Sequence, residues 1–258
     1  AKAIIFTDDL FPYDTEWLSA FSESFQRHVR LPFWCYVHPG KITEESVRLL
    51  EEAGCANAAI GLDSTDKAFN QKICYRNVSK ENMETAIRIF RKTKIGLFGG
   101  YIMGYPTQTK EQLMEDIEFY NANRIDGMNV YWIRYYPGTK IRDVAKKDGH
   151  LTEKDIDEME QKAISLRLRK EASQKNEFSK IENLFYLTCL LPRWLLRFIV
   201  RKKIYILFPT AKFSCILKAL RNKKYFFKTC LGKKRKPVRF VHRIGYYLHY
   251  IRFKLSKI

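Results

Sequence analysis

Apolar and polar positions follow two periodicities along residues 1–150, and their alternation predicts strands separated by helices. Five short apolar runs predict strands, at Ala3 to Thr7, Phe33 to Val37, Ala58 to Leu62, Leu97 to Met103 and Met128 to Tyr135. Between these runs, apolar residues recur at helical spacing, and each helical pattern begins at a residue type that caps helices. The predicted caps are Asp14 or Thr15, Thr43, Ser79 and Thr109.

Strands that alternate with helices must pair in parallel through right-handed crossovers, so the sequence predicts an α/β fold. The sheet is either open and doubly wound or curled into a barrel or partial barrel. In both cases chemistry gathers at the carboxyl ends of the strands. The residues that this topology places there are Asp8, Asp9, His38, Asp63, Ser64, Tyr105 to Gln108, Tyr135 and Tyr136.

The charge divides the chain into a neutral part and a basic part. The formal net charge is +19, yet residues 1–150 carry 20 Lys and Arg against 20 Asp and Glu. Residues 151–258 carry 27 basic residues against 8 acidic ones, with no acidic residue after Glu182. We therefore predict an α/β domain over 1–150, a linking helix over 151–180 that starts near Thr152 and runs to about Lys175, and a basic, aromatic-rich helical extension over 181–258.

The six cysteines are widely spaced and form no C-x-x-C pair. This spacing disfavours a disulfide framework and a metal site made by this chain alone, and it favours a reducing cytoplasm. The chain opens in the middle of an apolar run without Met, so we expect a fragment of a longer protein.

Six segments, taken together, resemble the core of radical S-adenosylmethionine (radical SAM) enzymes in order and spacing. They are Ile5 to Phe11, Phe33 to Pro39, Ile42 to Cys55, Ile60 to Ser64, Gly100 to Pro106 with Glu111, and Tyr136 to Thr139. The resemblance is closest to the branch often fused to an N-terminal cobalamin-binding domain.

The resemblance implies a partial (β/α) barrel that holds a [4Fe-4S] cluster and S-adenosylmethionine at the carboxyl ends of its strands. A reductant such as flavodoxin or ferredoxin would drive cleavage to a 5′-deoxyadenosyl radical, which abstracts hydrogen from an unreactive substrate carbon. Cobalamin-dependent methyl transfer is a further step implied for this branch, and an RNA-modifying relative is an alternative.

The chain departs from the family in its cluster ligands. It contains no C-x-x-x-C-x-x-C triplet, and its first predicted strand aligns with the family's second. We therefore expect the first strand and the cluster loop upstream of Ala1, no metal ligand in this chain and no activity from it alone. No catalytic residue is assigned, and a non-catalytic scaffold that binds a nucleotide or a partner remains an alternative.

The resemblance assigns cofactor contacts to several positions. Gly100, Ile102 and Gly104 match the adenine-contacting strand, although a glycine needed for strand-to-helix packing explains them too. Asp63 and Ser64 match a position where the family more often has Glu-Ser and a side chain contacts the ribose or amino acid moiety. The shorter aspartate reaches less far, and a plain turn is the alternative.

Asp8 and Asp9 match the acidic end of a strand near the cofactor's ammonium group, which needs a carboxylate or carbonyl partner when desolvated. Arg76 matches a basic residue that pairs with the cofactor's carboxylate. The alternatives are a solvated helix-entry pair and a surface arginine. Five further residues are predicted to face the barrel interior and touch a small-molecule or lipid-like substrate: Cys35, His38, Tyr101, Asn129 and Tyr131. For His38, a loop-capping role is the alternative.

The basic extension allows three interpretations. Leucine and aromatic clusters interleaved with Lys and Arg over residues 183–258 suit an anionic membrane surface, which would place the protein in the cytoplasm or at the inner membrane face. RNA is a less favoured partner, and a basic helical cap on the barrel is the third interpretation. The longest uncharged run of this extension, Asn183 to Pro192, is far shorter than the roughly 20 residues that span a bilayer.

Overall fold

The computed structural model describes residues 3–162, 166–167, 172–208 and 217. At its centre lies a parallel sheet of five strands in the order β1-β2-β3-β4-β5. The strands are β1 Ile4–Ile5, β2 Phe33–Val37, β3 Cys55–Gly61, β4 Gly96–Met103 and β5 Gly127–Trp132. Each strand pairs with the next one in sequence, and the sheet forms a half-barrel. The predicted α/β partial barrel is confirmed.

Helices connect the strands and begin where local sequence rules place them. They are α1 Thr15–His28, α2 Glu44–Glu52, α3 Lys67–Lys72, α4 Lys80–Arg91 and α5 Lys110–Asn123, with a short 3-10 helix at Pro39–Lys41. The side chains of the predicted caps Asp14, Thr43, Ser79 and Thr109 each accept a backbone N–H of the first turn. The predicted caps are confirmed. Just after α2, Gly54 has φ +91°, a left-handed conformation that glycine adopts without strain.

The chain beyond β5 departs from the prediction. A second, two-stranded antiparallel sheet pairs β6 Arg134–Tyr135 with β7 Leu166–Arg167. The helices of this part are α6 Lys140–Lys147, α7 Glu153–Lys162, α8 Ala172–Thr188 and α9 Arg193–Arg201, followed by a 3-10 helix at Ile204–Leu207.

Two predicted elements are therefore wrong. The strand predicted over Met128 to Tyr135 ends at Trp132, and its last residues join the second sheet. The helix predicted from Thr152 to about Lys175 is interrupted by β7, because pairing with β6 overrides local helix propensity.

Helix α8 belongs to the core of the barrel domain. Residue 180, the predicted limit of the linking helix, lies inside α8, and Ile181, Leu184 and Phe185 are fully buried. Phe185 stacks on Tyr101 of β4 with ring centroids 4.2 Å apart. None of the helices in the described ranges combines the length and hydropathy that a membrane crossing requires.

The two faces of the sheet differ in what they contact. One, the helix face, packs its side chains into a single hydrophobic core with the helices; it includes Cys35, Ala58, Ile60, Leu97, Tyr101, Met103, Met128 and Val130. Strand alternation and register place a different set on the opposite, open face: Ile5, Trp34, Tyr36, Ala59, Gly61, Phe98, Gly100, Ile102, Asn129 and Tyr131. All of these open-face residues are uncharged, and Ile5, Tyr36 and Tyr131 are exposed.

Candidate functional site

A buried ion pair stands at the carboxyl end of β3. Asp63 is only 6% exposed, and Nη1 of Arg76 lies 3.0 Å from its Oδ2 and 3.2 Å from its Oδ1. Burial raises the pKa of Asp63, while the Arg76 charge acts in the opposite direction. A Cβ on Gly61 would lie 2.8 Å from the same Nη1, so the guanidinium occupies the space that a side chain at residue 61 would need. Two predicted cofactor-binding residues therefore contact each other.

A buried carboxylate on α5 holds the loop that carries Asp63. Asp116 accepts the Thr65 N–H at 2.6 Å, the Thr65 hydroxyl at 2.7 Å, the Ser64 hydroxyl at 3.3 Å and the Tyr101 hydroxyl at 2.5 Å. Burial raises the pKa of Asp116 to about 6, although these hydrogen bonds favour the charged form. The Ser64 side chain thus points into the protein. Asp116 was not predicted from the sequence, where its one signal is an acid on the apolar stripe of α5.

The turn after β4 is shaped by Gly104. Its φ is +84°, and its N–H donates to Oε1 of the buried Gln108 at 2.7 Å. The Gln108 amide donates in turn to the Tyr101 hydroxyl at 3.3 Å, which links this turn to Asp116. A Cβ on Gly104 would lie 2.9 Å from Cε3 of Trp132. Backbone conformation and close packing therefore both require glycine here.

Next to the ion pair, three neighbouring strands present little side-chain bulk on the open face. Gly61, Gly100 and Asn129 lie side by side in register, and we call them the glycine patch. A Cβ on Gly100 would meet nothing closer than the Ile60 carbonyl oxygen at 3.9 Å. The space above Gly100 is therefore open rather than filled by packing.

The amino-terminal side of the open face is closed by an aromatic pair. The rings of Trp34 and Phe98 stack with centroids 4.8 Å apart, and the Phe98 ring occupies the position that a Cβ on Gly127 would need. A ligand on the glycine patch would therefore contact the stacked Trp34 and Phe98 rings on one side. On the other side it meets Arg76, which lies over Gly61.

The remaining predicted cofactor residues lie outside the glycine patch. Asp8 and Asp9 are exposed on the loop after β1. Ile102 lies on the open face next to Tyr131, with which it is in register. His38, one of the predicted substrate residues, accepts the Gly40 N–H at its Nδ1, 3.1 Å away, and so caps the 3-10 helix.

The predicted substrate residues divide between the two faces. Asn129 and Tyr131 lie on the open face. Cys35 and Tyr101 are fully buried on the helix face, so the prediction that they face the barrel interior is wrong. Both side chains fill space between strand and helix, which excludes contact with a ligand on the open face. The pKa of His38 is lowered by partial burial and by the charges of Arg76 and Lys41, so the imidazole is held neutral.

The residues present fit S-adenosylmethionine better than they fit an iron-sulfur cluster. The glycine patch leaves room for a planar ring against the backbone, and Arg76 supplies a cation beside it. Among the described residues, no three His, Cys, Asp or Glu side chains are placed to hold a metal ion. The Cys35 and Cys55 sulfurs lie 3.8 Å apart in the buried core, and burial raises the pKa of Cys55. These thiols are not available as cluster ligands, because the ligand is the thiolate.

The sequence from β1 to the end of α5 contains the glycine patch except Asn129, both partners of the ion pair and Asp116. Residues 2–120 match the radical SAM superfamily. These residues form a radical SAM superfamily domain. The match covers four of the five sheet strands, so the site described above is the carboxyl edge of a radical SAM sheet.

The similar proteins are longer than this chain, and their sequence identity to it is low. An uncharacterized methyltransferase of Pyrococcus horikoshii is 24% identical over 102 residues, which are 40% of this chain and 22% of that protein. The structure of TsrM from Kitasatospora setae, a radical S-adenosylmethionine methyltransferase with cobalamin and a [4Fe-4S] cluster bound, is 19% identical, with a TM-score of 0.49 over 54% of this chain and 27% of TsrM. Elp3 from Methanocaldococcus infernus is 15% identical, with a TM-score of 0.47 over 74% of this chain and 46% of Elp3. The chain spans less than half the length of each.

Proposed function

We propose that the radical SAM domain binds S-adenosylmethionine on the glycine patch and belongs to an enzyme that cleaves it reductively. When bound beside a [4Fe-4S] cluster, this cofactor supplies a 5′-deoxyadenosyl radical that abstracts hydrogen from an unreactive substrate carbon. The observation that carries the proposal is the open space over Gly100 bounded by Arg76.

The adenine would lie against the patch. Without a side chain at residue 100, a planar ring can approach the backbone of β4 to van der Waals distance, beside the Arg76 guanidinium that lies over Gly61. The stacked side chains of Trp34 and Phe98 limit how far the adenine can move towards the amino ends of the strands.

The amino acid moiety would lie towards Arg76. Both contacts with Asp63 use the same nitrogen, Nη1, and the arginine side chain is one-third exposed. The other edge of the guanidinium fork is therefore directed away from Asp63, where it can meet the cofactor's carboxylate. The exposed carboxylates of Asp8 and Asp9 are the proposed partners of the ammonium group.

The cluster would be held by cysteines outside residues 1–258, because this sequence lacks the family's triplet. Methyl transfer with cobalamin is the proposed outcome of the radical chemistry, supported by the description of two of the similar proteins as methyltransferases. Flavodoxin or ferredoxin is the proposed reductant.

Two ligands separate the role of the patch from that of Arg76. We expect Gly100→Val to weaken binding of both S-adenosylmethionine and 5′-deoxyadenosine, since the added side chain fills the adenine space. Arg76→Gln should weaken binding of S-adenosylmethionine by about tenfold or more and leave binding of 5′-deoxyadenosine unchanged, because only S-adenosylmethionine has a carboxylate. Ligand-observed NMR titration of residues 1–258 measures both, with Ala122→Val, exposed on α5, as the control for added bulk.

Equal effects of Arg76→Gln on the two ligands would contradict the assigned orientation. Unchanged binding by Gly100→Val would remove the site. For the reaction itself, protein that also carries the cysteine triplet, reconstituted without oxygen and then reduced, should release 5′-deoxyadenosine, and Gly100→Val should abolish the release.

A further inference from the structure

Helix α9 carries apolar side chains on two opposite sides, one packed against the domain and one exposed. Leu196 is buried in the core of the domain, and Ile199 and Val200 pack against that core. On the opposite side Trp194 is 71% exposed and Phe198 is 50% exposed. These two residues are four positions apart, so they form one outward stripe of the helix.

The 3-10 helix that follows extends the exposed apolar surface. Ile206 is 42% exposed and Leu207 is 82% exposed. Tyr205, between α9 and these two residues, is buried and fixes this turn to the domain. Trp194, Phe198, Ile206 and Leu207 together are named the apolar patch. Because α9 and this 3-10 helix pack against the core through Leu196 and Tyr205, they hold the apolar patch in a fixed position on the domain.

Basic residues surround the apolar patch. Arg193, Arg201, Lys202 and Lys203 are exposed on the same two elements, while Arg197 pairs with Glu118 at 3.6 Å. The sequence from residue 183 to residue 258 carries 20 Lys and Arg and no Asp or Glu. An occupant of this surface must therefore accept apolar side chains and pair with these exposed bases at the same time.

An anionic phospholipid surface meets both requirements. Aromatic and branched aliphatic side chains enter the boundary between headgroups and acyl chains, and the bases pair with anionic headgroups. A nucleic acid would satisfy the bases but offers no apolar contact for Ile206 and Leu207. We propose that α9 and the 3-10 helix after it dock the domain on an anionic membrane surface through the apolar patch. This inference does not depend on the proposed chemistry of the barrel.

Vesicle flotation of residues 1–258 tests the proposal. We expect binding to vesicles of phosphatidylcholine with 30% phosphatidylglycerol and much weaker binding to phosphatidylcholine alone. The double variant Trp194→Ser with Leu207→Ser should lose about a hundredfold in partition coefficient, at roughly tenfold for each inserted side chain. Replacing Arg201, Lys202 and Lys203 by Gln should weaken binding at low salt and bring it close to its high-salt value.

The control is Ile5→Ser, which removes a side chain of similar exposure from the open face of the sheet. It should bind vesicles as the unmodified chain does. Thermal unfolding by circular dichroism verifies that each variant is folded, which is expected because the exchanged side chains are exposed.

Three results would overturn the proposal. The first is unchanged vesicle binding by the Trp194→Ser, Leu207→Ser variant, since the bases alone would then suffice. The second is equal binding to neutral and anionic vesicles. The third is a failure to bind vesicles together with tight binding to an RNA oligonucleotide that the double variant retains.

Discussion

The buried carboxylate of Asp116 makes the stability of the domain depend on pH in a way that one substitution should remove. Burial raises its pKa from the ordinary aspartate value of 3.8 to about 6. Because the pKa in the folded state lies above that in the unfolded chain, the folded state binds the proton more tightly. The free energy of unfolding should therefore fall as pH rises from about 4 to about 6, by about 3 kcal/mol, at about 1.4 kcal/mol per pKa unit.

Asp116→Asn removes the ionisation and keeps the shape. The asparagine oxygen can still accept from Thr65 and Ser64, and its amide can donate to the Tyr101 hydroxyl oxygen. We expect the variant to gain about 3 kcal/mol relative to the unmodified chain between pH 4 and pH 7. Other titrating groups are common to both proteins and cancel in the difference.

Asp116→Ala is the companion variant. It leaves the Thr65 N–H and the surrounding hydroxyls without their acceptor, so we expect a loss of about 3 kcal/mol or more at either pH. Urea unfolding followed by tryptophan fluorescence, at steps between pH 4 and pH 7.5, gives all three curves. If the difference between the unmodified chain and Asp116→Asn stays constant within about 0.5 kcal/mol over this range, the carboxyl group does not titrate as argued.

Three further predictions concern the turns and thiols around the site. Gly104→Ala should lower the free energy of unfolding by about 1–3 kcal/mol in the same urea assay, because a Cβ there would lie 2.9 Å from Trp132 at a φ of +84°; an unchanged midpoint would contradict this. Thr109→Ala should cost about 1 kcal/mol through loss of the α5 cap, and a cost near zero would mean that water replaces it. Burial raises the pKa of Cys55 and raises that of Cys74 to about 12, so mass spectrometry should find neither alkylated by iodoacetamide at pH 8 until urea is added; rapid native labelling of either would refute the burial argument.

Local rules were enough to predict most of the barrel. A cap such as Thr43 or Ser79 acts within one helical turn, so its sequence signature and its structure coincide. The same holds for Gly54, whose left-handed φ follows from its place after a helix. The alternation of strands and helices then leaves parallel pairing as the only short-range solution.

Features that depend on distant partners could not be predicted in this way. Alternation along a strand divides its residues into two sets but does not show which set faces the helices. In β4 both sets are apolar. Tyr101 was therefore assigned to the wrong face, and so was Cys35. Strand β6 exists only because β7, some thirty residues later, pairs with it.

The site itself was predictable in part. Asp63 was named from its place after a predicted strand, and Arg76 and Gly100 were named from the family resemblance. The ion pair between Asp63 and Arg76 depends on the path of the loop after α3. Asp116 lies three residues after Leu113 and four before Tyr120, which places an acid within an apolar stripe. A carboxylate in that position requires buried donors, and this is the signal that could have pointed to the loop it holds.

The strands of the sheet lie in the same order as in the sequence, and this order has a consequence for how the domain assembles. Each new strand joins an edge made entirely by residues that precede it, so the sheet can grow as the chain leaves the ribosome without waiting for a distant segment. Removing the chain after Asn123 would take away the pairing between β4 and β5 together with α8, whose Ile181, Leu184 and Phe185 complete the core. The sheet can therefore begin to form early, while its helix face is complete only after α8 has been made.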